Sequence, residues 1–185
     1  MAVLYIHQKY KNMHSDDQSP RQDLFNNEAV NKLKELAEKS RNCFFCTNMG
    51  SYPHTSRPMA LQEVDQEGNL WFISSTESQK NAEIAQDPRV SLYFQNNSSY
   101  EFIVVSGKAT IHTDKALIDK YWTNFANAWF EGKEDPTVSI ISVKPDESDY
   151  WDTQDGKIVS FIKMSFMALT GKKSDDGGIE GSLEV

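Results

Sequence analysis

Cysteine is scarce in this chain: Cys43 and Cys46 are the only two among 185 residues, too few to staple a small secreted domain. Histidine is nearly as rare. His7, His14, His54 and His112 stand at no ligand spacing from one another, so no metal site is expected. No apolar run approaches the roughly eighteen residues of a membrane span, and Met1 to Tyr10 lacks the basic-then-apolar order of a secretion signal. A cytoplasmic protein is therefore expected. Positive charge is also in deficit, the formal net charge being −8. The densest basic pair, Lys172-Lys173, runs straight into Asp175 and Asp176. Nucleic acid and anionic membranes would repel such a chain, and neither is expected as a partner.

What is present is enough apolar residue, 38%, for one self-supporting core. Asn12 to Asp23 are polar, and residues 1–23 read as a mobile lead-in, 24–170 as one domain, and 171–185 as a Gly-rich acidic tail with room for a short final strand. From Phe25 to Arg41, the residues Ala29, Val30, Leu33, Leu36 and Ala37 recur at helical spacing and predict an amphipathic helix. The period then changes to that of strands, over Cys43 to Thr47, Arg57 to Val64, Leu70 to Ser75, Arg89 to Gln95 and Tyr100 to His112. Two more are expected from Val138 to Val143 and from Ile158 to about Leu169. Gly68 supplies a positive φ for a hairpin across Asp65 to Asn69, and Gly107 marks a bulge or tight bend. Ser78 caps a short helix through Ala85, and Asp114 caps another from Lys115 to about Trp122. The connections are too short for parallel crossovers, so about six or seven strands should form a closed or nearly closed antiparallel sheet with flanking helices.

The residues most suggestive of chemistry are Arg57-Pro58-Met59, then Ile73-Ser74-Ser75-Thr76, then Lys80. A hairpin can bring Arg57 near the end of the following strand, and the next loop opens the helix that carries Lys80. Two cations, several hydroxyls and a helix N-terminus would then meet, which is the donor set a phosphate needs. Spacing alone favours the plainer alternative, in which Arg57 and Lys80 are ordinary surface cations and the Ser/Thr run merely caps a helix. Cys43 and Cys46 match CxxC, but in a strand positions i and i+3 face opposite ways, and there is no second pair to complete a zinc site. They read as buried or half-buried strand residues. His54 reads as an exposed loop residue, and Trp122 as core.

Taken in order, Arg57-Pro58-Met59, Leu70 to Ser74 with Lys80, Asp87 to Leu92, Val105 to Ala109, Trp129 to Pro136 and Asp149 to Asp152 make the chain resemble the general stress protein branch of the pyridoxamine-phosphate-oxidase-like, FMN-binding split-barrel family. The resemblance runs from about Leu33 to Leu169. It implies a mainly β, Greek-key split barrel working as a homodimer with FMN between its subunits. Arg57 and Lys80 would hold the phosphate with Ser74, Ser75, Thr76 and Gln79. The Met59 backbone and the strand around Ile73 would lie along the flavin ring. Trp151 and Trp129 would reach it from the partner. FAD, haem or a deazaflavin are the less favoured occupants. The true oxidases of the family carry a lysine where this chain has Gln62, and an Arg-Leu-His-Asp-Arg stretch where it reads Thr153 to Lys157, so pyridoxamine phosphate is not the expected substrate. A flavin-dependent oxidoreductase acting with a small-molecule electron donor or acceptor is the first expectation, and a stress protein that only binds or senses flavin is the second. No residue is singled out as acid, base or nucleophile.

Overall fold

The computed structural model describes residues 22–153 and 178–185. Strands β1 (Leu24–Phe25), β2 (Asn42–Thr47), β3 (Thr55–Val64), β4 (Leu70–Ser75), β5 (Arg89–Asn96), β6 (Glu101–His112), β7 (Val138–Thr153) and β8 (Gly178–Glu184) form one sheet, flanked by helices α1 (Asn26–Ser40), α2 (Gln79–Gln86) and α3 (Lys115–Tyr121). Neighbours run β1-β8-β7-β4-β3-β2-β5-β6, and β6 also pairs with β7. That last pairing closes β7, β4, β3, β2, β5 and β6 into an antiparallel barrel. The closed antiparallel architecture expected from short connections is thus present, with β8 added outside the ring against β7.

Alternation decides what lies inside. Along β6, the inward residues Ile103, Val105 and Ala109 are buried. They join Phe45, Phe72, Leu92 and Phe94 in a core to which α1 contributes Ala29, Leu33, Leu36 and Ala37. The helical face expected from spacing is the one that seals the barrel. Phe45 meets Phe72 edge-to-face at 5.3 Å between centroids, the arrangement that aromatic quadrupoles favour.

The local signals also hold. Ser78 accepts from the Asn81 amide and Asp114 from the Leu117 amide. Gly68 has φ of 83° in the β3–β4 turn. The β6–β7 register shifts between Ser106 and Gly107, where a Cβ on Gly107 would stand 2.3 Å from the Lys144 carbonyl oxygen. Cys43 and Cys46 are buried in β2, and burial raises the pKa of both thiols.

One expectation needs correcting: β7 does not stop at Val143 but continues to Thr153. Lys144-Pro145-Asp146 reads as a strand end, yet pairing with β6 carries the backbone through it, and from Ser148 onward β8 lies along the other side. Tertiary hydrogen bonding overrides weak local propensity here. The strand expected from Ile158 to Leu169 lies outside the described residues. No helix among the described residues is long and apolar enough to cross a membrane.

Candidate functional site

Strands β3 and β4 present Arg57, Pro58, Met59, Ala60, Gln62, Ile73, Ser74 and Ser75 to a single cleft, which α2 enters with Lys80 and which the segment from Thr123 to Phe130 walls on the far side. Its volume is about 610 Å³, within the range of small-molecule and cofactor pockets. Trp129 and Phe125 form the rim, stacked edge-on at 4.9 Å and both largely exposed. Phe130 lies deeper, against Trp122, which packs on the second core cluster with Ile118 and Tyr121 as expected.

The polar end is built on α2. Asn81, 4% exposed, accepts from the Ser74 hydroxyl at 2.8 Å and donates to Ser139 Oγ at 3.0 Å. Ser74 and Ser139 are cross-strand partners in β4 and β7, so one amide fastens the helix start to two strands. The N–H groups of Gln79 and Lys80 fall in the first turn, where no intrahelical acceptor exists. Replacing Asn81 by alanine leaves two buried hydroxyls without their partner, and urea denaturation is expected to show a loss of about 2 kcal/mol.

Arg57 is held firmly. It donates through one nitrogen to Thr47 Oγ1 and the Phe45 carbonyl, and through the other to Glu83 Oε2 at 2.9 Å. Glu83 also accepts from Thr47 and, at 2.9 Å, from Gln79. Burial opposes the Glu83 charge, but hydrogen bonds from Thr47, Arg57 and Thr55 outweigh it and keep the carboxyl below its usual range. Lys80 is different. Half-buried, it has no carboxylate partner among the described residues. Burial, and then the neighbouring Arg57 charge, push its pKa down, the state of an ammonium that lacks an anion.

Residues 28–175 match the sequence model of the family described as Pyridoxamine 5'-phosphate oxidase like. The chain belongs to that family. Among its relatives, Protein bli-3 of Neurospora crassa is 31% identical over 127 residues, covering 63% of this chain and 61% of that protein. General stress protein 26 of Bacillus subtilis is 32% identical over 81 residues, covering 42% and 58%. The chain thus spans about three fifths of the length of each. A solved structure described as the general stress FMN/FAD binding protein of Xanthomonas citri superposes with a TM-score of 0.59 at 26% identity, covering 69% of this chain and 90% of that one.

Of the residues that the family resemblance points to, Arg57, Met59, Ile73, Ser74, Ser75, Lys80 and Trp129 line this one cleft. Thr76 and Gln79 are exposed outside it, Thr76 bonded to the Thr137 carbonyl and Gln79 to Glu83. The Ser74 hydroxyl is committed to Asn81. Trp129 lies on its own chain's cleft, whereas Trp151 stands on β7 opposite Phe102, with its indole N–H on Glu180 at 3.2 Å. His54 is exposed outside the cleft, 3.4 Å from the Asn48 carbonyl oxygen. Sequence reasoning missed Thr47, Glu83, Asn81 and Phe125. Glu83 had one legible signal, since it stands one helical turn beyond Gln79 and Lys80 and shares their face.

Proposed function

We propose that the cleft binds FMN and that the protein is a flavin-dependent oxidoreductase linked to stress response, acting as a homodimer in the cytoplasm. One observation carries this reading: an ammonium without a carboxylate partner among the described residues, Lys80, beside Arg57 and the start of α2, in a cleft walled by Ile73, Ala60, Phe130 and Trp129. Charge at one end and apolar walls along the rest suit a flat ring carrying a phosphate. The description of the Xanthomonas citri protein as FMN/FAD-binding supports a flavin. A terminal phosphate monoester suits the cationic end better than the internal pyrophosphate of FAD.

In this reading Lys80 and Arg57 hold the phosphate, Ser75 and the first-turn N–H groups of α2 complete its donors, and Ser74 fixes the helix that presents them. The Met59 backbone and Ile73 lie along the ring. Bound flavin supplies the electron transfer, and the chain supplies orientation and exclusion of water. Gln62 lacks the charge that the true oxidases place there, so pyridoxamine phosphate is not the substrate proposed.

The dimer is argued from exposed aromatics. Phe44 pairs with Tyr93 across β2 and β5, and Phe102 lies beside Trp151 across β6 and β7. Phe44, Tyr93 and Phe102 are 60%, 45% and 37% exposed. A partner that covers this row would remove a large apolar surface from water, and Trp151, beside Phe102, would then lie at the interface.

Mass spectrometry of the ligand released from purified protein is expected to give FMN, and anaerobic addition of NADH or NADPH is expected to bleach its visible absorbance. Haem, a deazaflavin or no bound ligand even after reconstitution with FMN would overturn the cofactor. A flavin that neither donor reduces would leave a binding protein rather than an oxidoreductase. Light scattering at micromolar concentration should return twice the chain mass; a monomer would refute the shared site.

A further inference from the structure

We infer that Glu83 sets the charge that the cleft accepts: it offsets part of the Arg57 charge and leaves Lys80 as the cation of the cleft with no carboxylate partner among the described residues. The inference rests on the phosphate reading above and goes beyond it, because it assigns a ligand-charge role to a carboxylate.

The geometry is specific. Glu83 Oε2 lies 2.9 Å from an Arg57 nitrogen, with the Glu83 and Arg57 side chains 13% and 21% exposed. Thr47 bonds to both partners and so fixes the pair's separation. Gln79 holds the second carboxylate oxygen. The Glu83 carboxylate thereby accepts from residues of β2, β3 and α2 on both oxygens, and the pair is a fixed unit in which each charge offsets part of the other. Glu83 stands behind Arg57 rather than in the cleft lining, and Glu77, the carboxylate that does line it, is exposed, so water and salt screen it. The local balance is two cations against one fixed carboxylate, and the surplus sits on Lys80. A site with two free cations would bind any phosphate more tightly. One surplus charge weakens that grip.

The closing experiment compares FMN with riboflavin, which has the same ring and no phosphate, by fluorescence titration. Wild type is expected to prefer FMN, and equal affinities would sink the phosphate reading itself, before any variant is made. In Glu83→Gln the amide oxygen still accepts from Arg57 and Thr47 while the negative charge is gone. The FMN-over-riboflavin preference is expected to rise about tenfold, the size of one partly screened unit-charge repulsion, with riboflavin affinity unchanged. A folded Glu83→Gln protein whose preference stays within about twofold of wild type, or falls, overturns the inference. If that variant does not fold, the double variant Arg57→Gln/Glu83→Gln decides. Removing the pair is expected to lower the preference less than about tenfold, whereas Lys80→Gln lowers it about a hundredfold. Equal losses in the two would make Arg57 the main anion ligand and Glu83 merely its support.

Discussion

Lys80→Ala is expected to weaken FMN binding by roughly a hundredfold while leaving riboflavin binding unchanged, the loss that follows removal of one charge-assisted contact to a phosphate. The argument begins with the cost that the folded chain already carries. Burial, and then repulsion from Arg57, disfavour the Lys80 ammonium, and an arriving dianion relieves both. Alanine removes the attraction and the repulsion together. Folding stability should therefore hold or rise slightly, which separates a ligand effect from a structural one. Fluorescence titration with both flavins, alongside a thermal melt, reads the two quantities. A variant that binds FMN as wild type does would take Lys80 out of the site.

Arg57→Ala is expected to do the reverse and act chiefly on the fold, with a loss of about 2–3 kcal/mol in urea denaturation at neutral pH. The truncation leaves Glu83, 13% exposed, without its cation. In the wild type, burial is outweighed by bonds from Thr47, Arg57 and Thr55, so the folded carboxyl titrates below its unfolded value. Its contribution is therefore complete above the ordinary carboxylate range and is lost as pH falls through the depressed folded value. In the variant burial prevails and the folded value rises instead. The deficit should then be largest near neutrality and shrink on acidification. Adding Glu83→Gln to Arg57→Ala is expected to recover most of the loss, because the buried charge is gone. A deficit independent of pH, or no recovery in the double variant, would show that Arg57 acts through packing alone.

These residues also mark where sequence reasoning succeeds and stops. Ala29, Leu33, Leu36 and Ala37 are recognisable because helical spacing is a local property, and Ser78 and Asp114 because a cap needs only its own first turn. Arg57 and Lys80 could be brought together on paper, since one hairpin and one short loop separate them. Glu83 and Thr47 could not be joined in that way. Position along α2 says which face Glu83 shares with Lys80, but only the closed barrel brings β2 beneath that face. The far half of β7 failed to read as strand for the same reason, since its partners lie on β6 and β8. The strand β8 carries Gly178 and Gly181, residues that usually argue against one. Gly181 is required because a Cβ there would stand 1.9 Å from the Gln22 carbonyl oxygen.

That close approach belongs to a seam with a kinetic meaning. Leu24 pairs with Leu183 and Phe25 with Glu184, the one parallel contact among the described strands, and the Tyr150 hydroxyl reaches back to the Gln22 carbonyl at 2.8 Å. All six ring strands leave the ribosome before residues 178–184 do, so the barrel can close while β1 is still waiting for its neighbour. Closing so long a loop carries the largest chain-entropy cost in the sheet, offset by burial of Leu183 and the packing of Leu24 and Ile179 against the core. The seam is therefore expected to be the last part of the fold to form, and hydrogen exchange at its amides should be the reading that checks it.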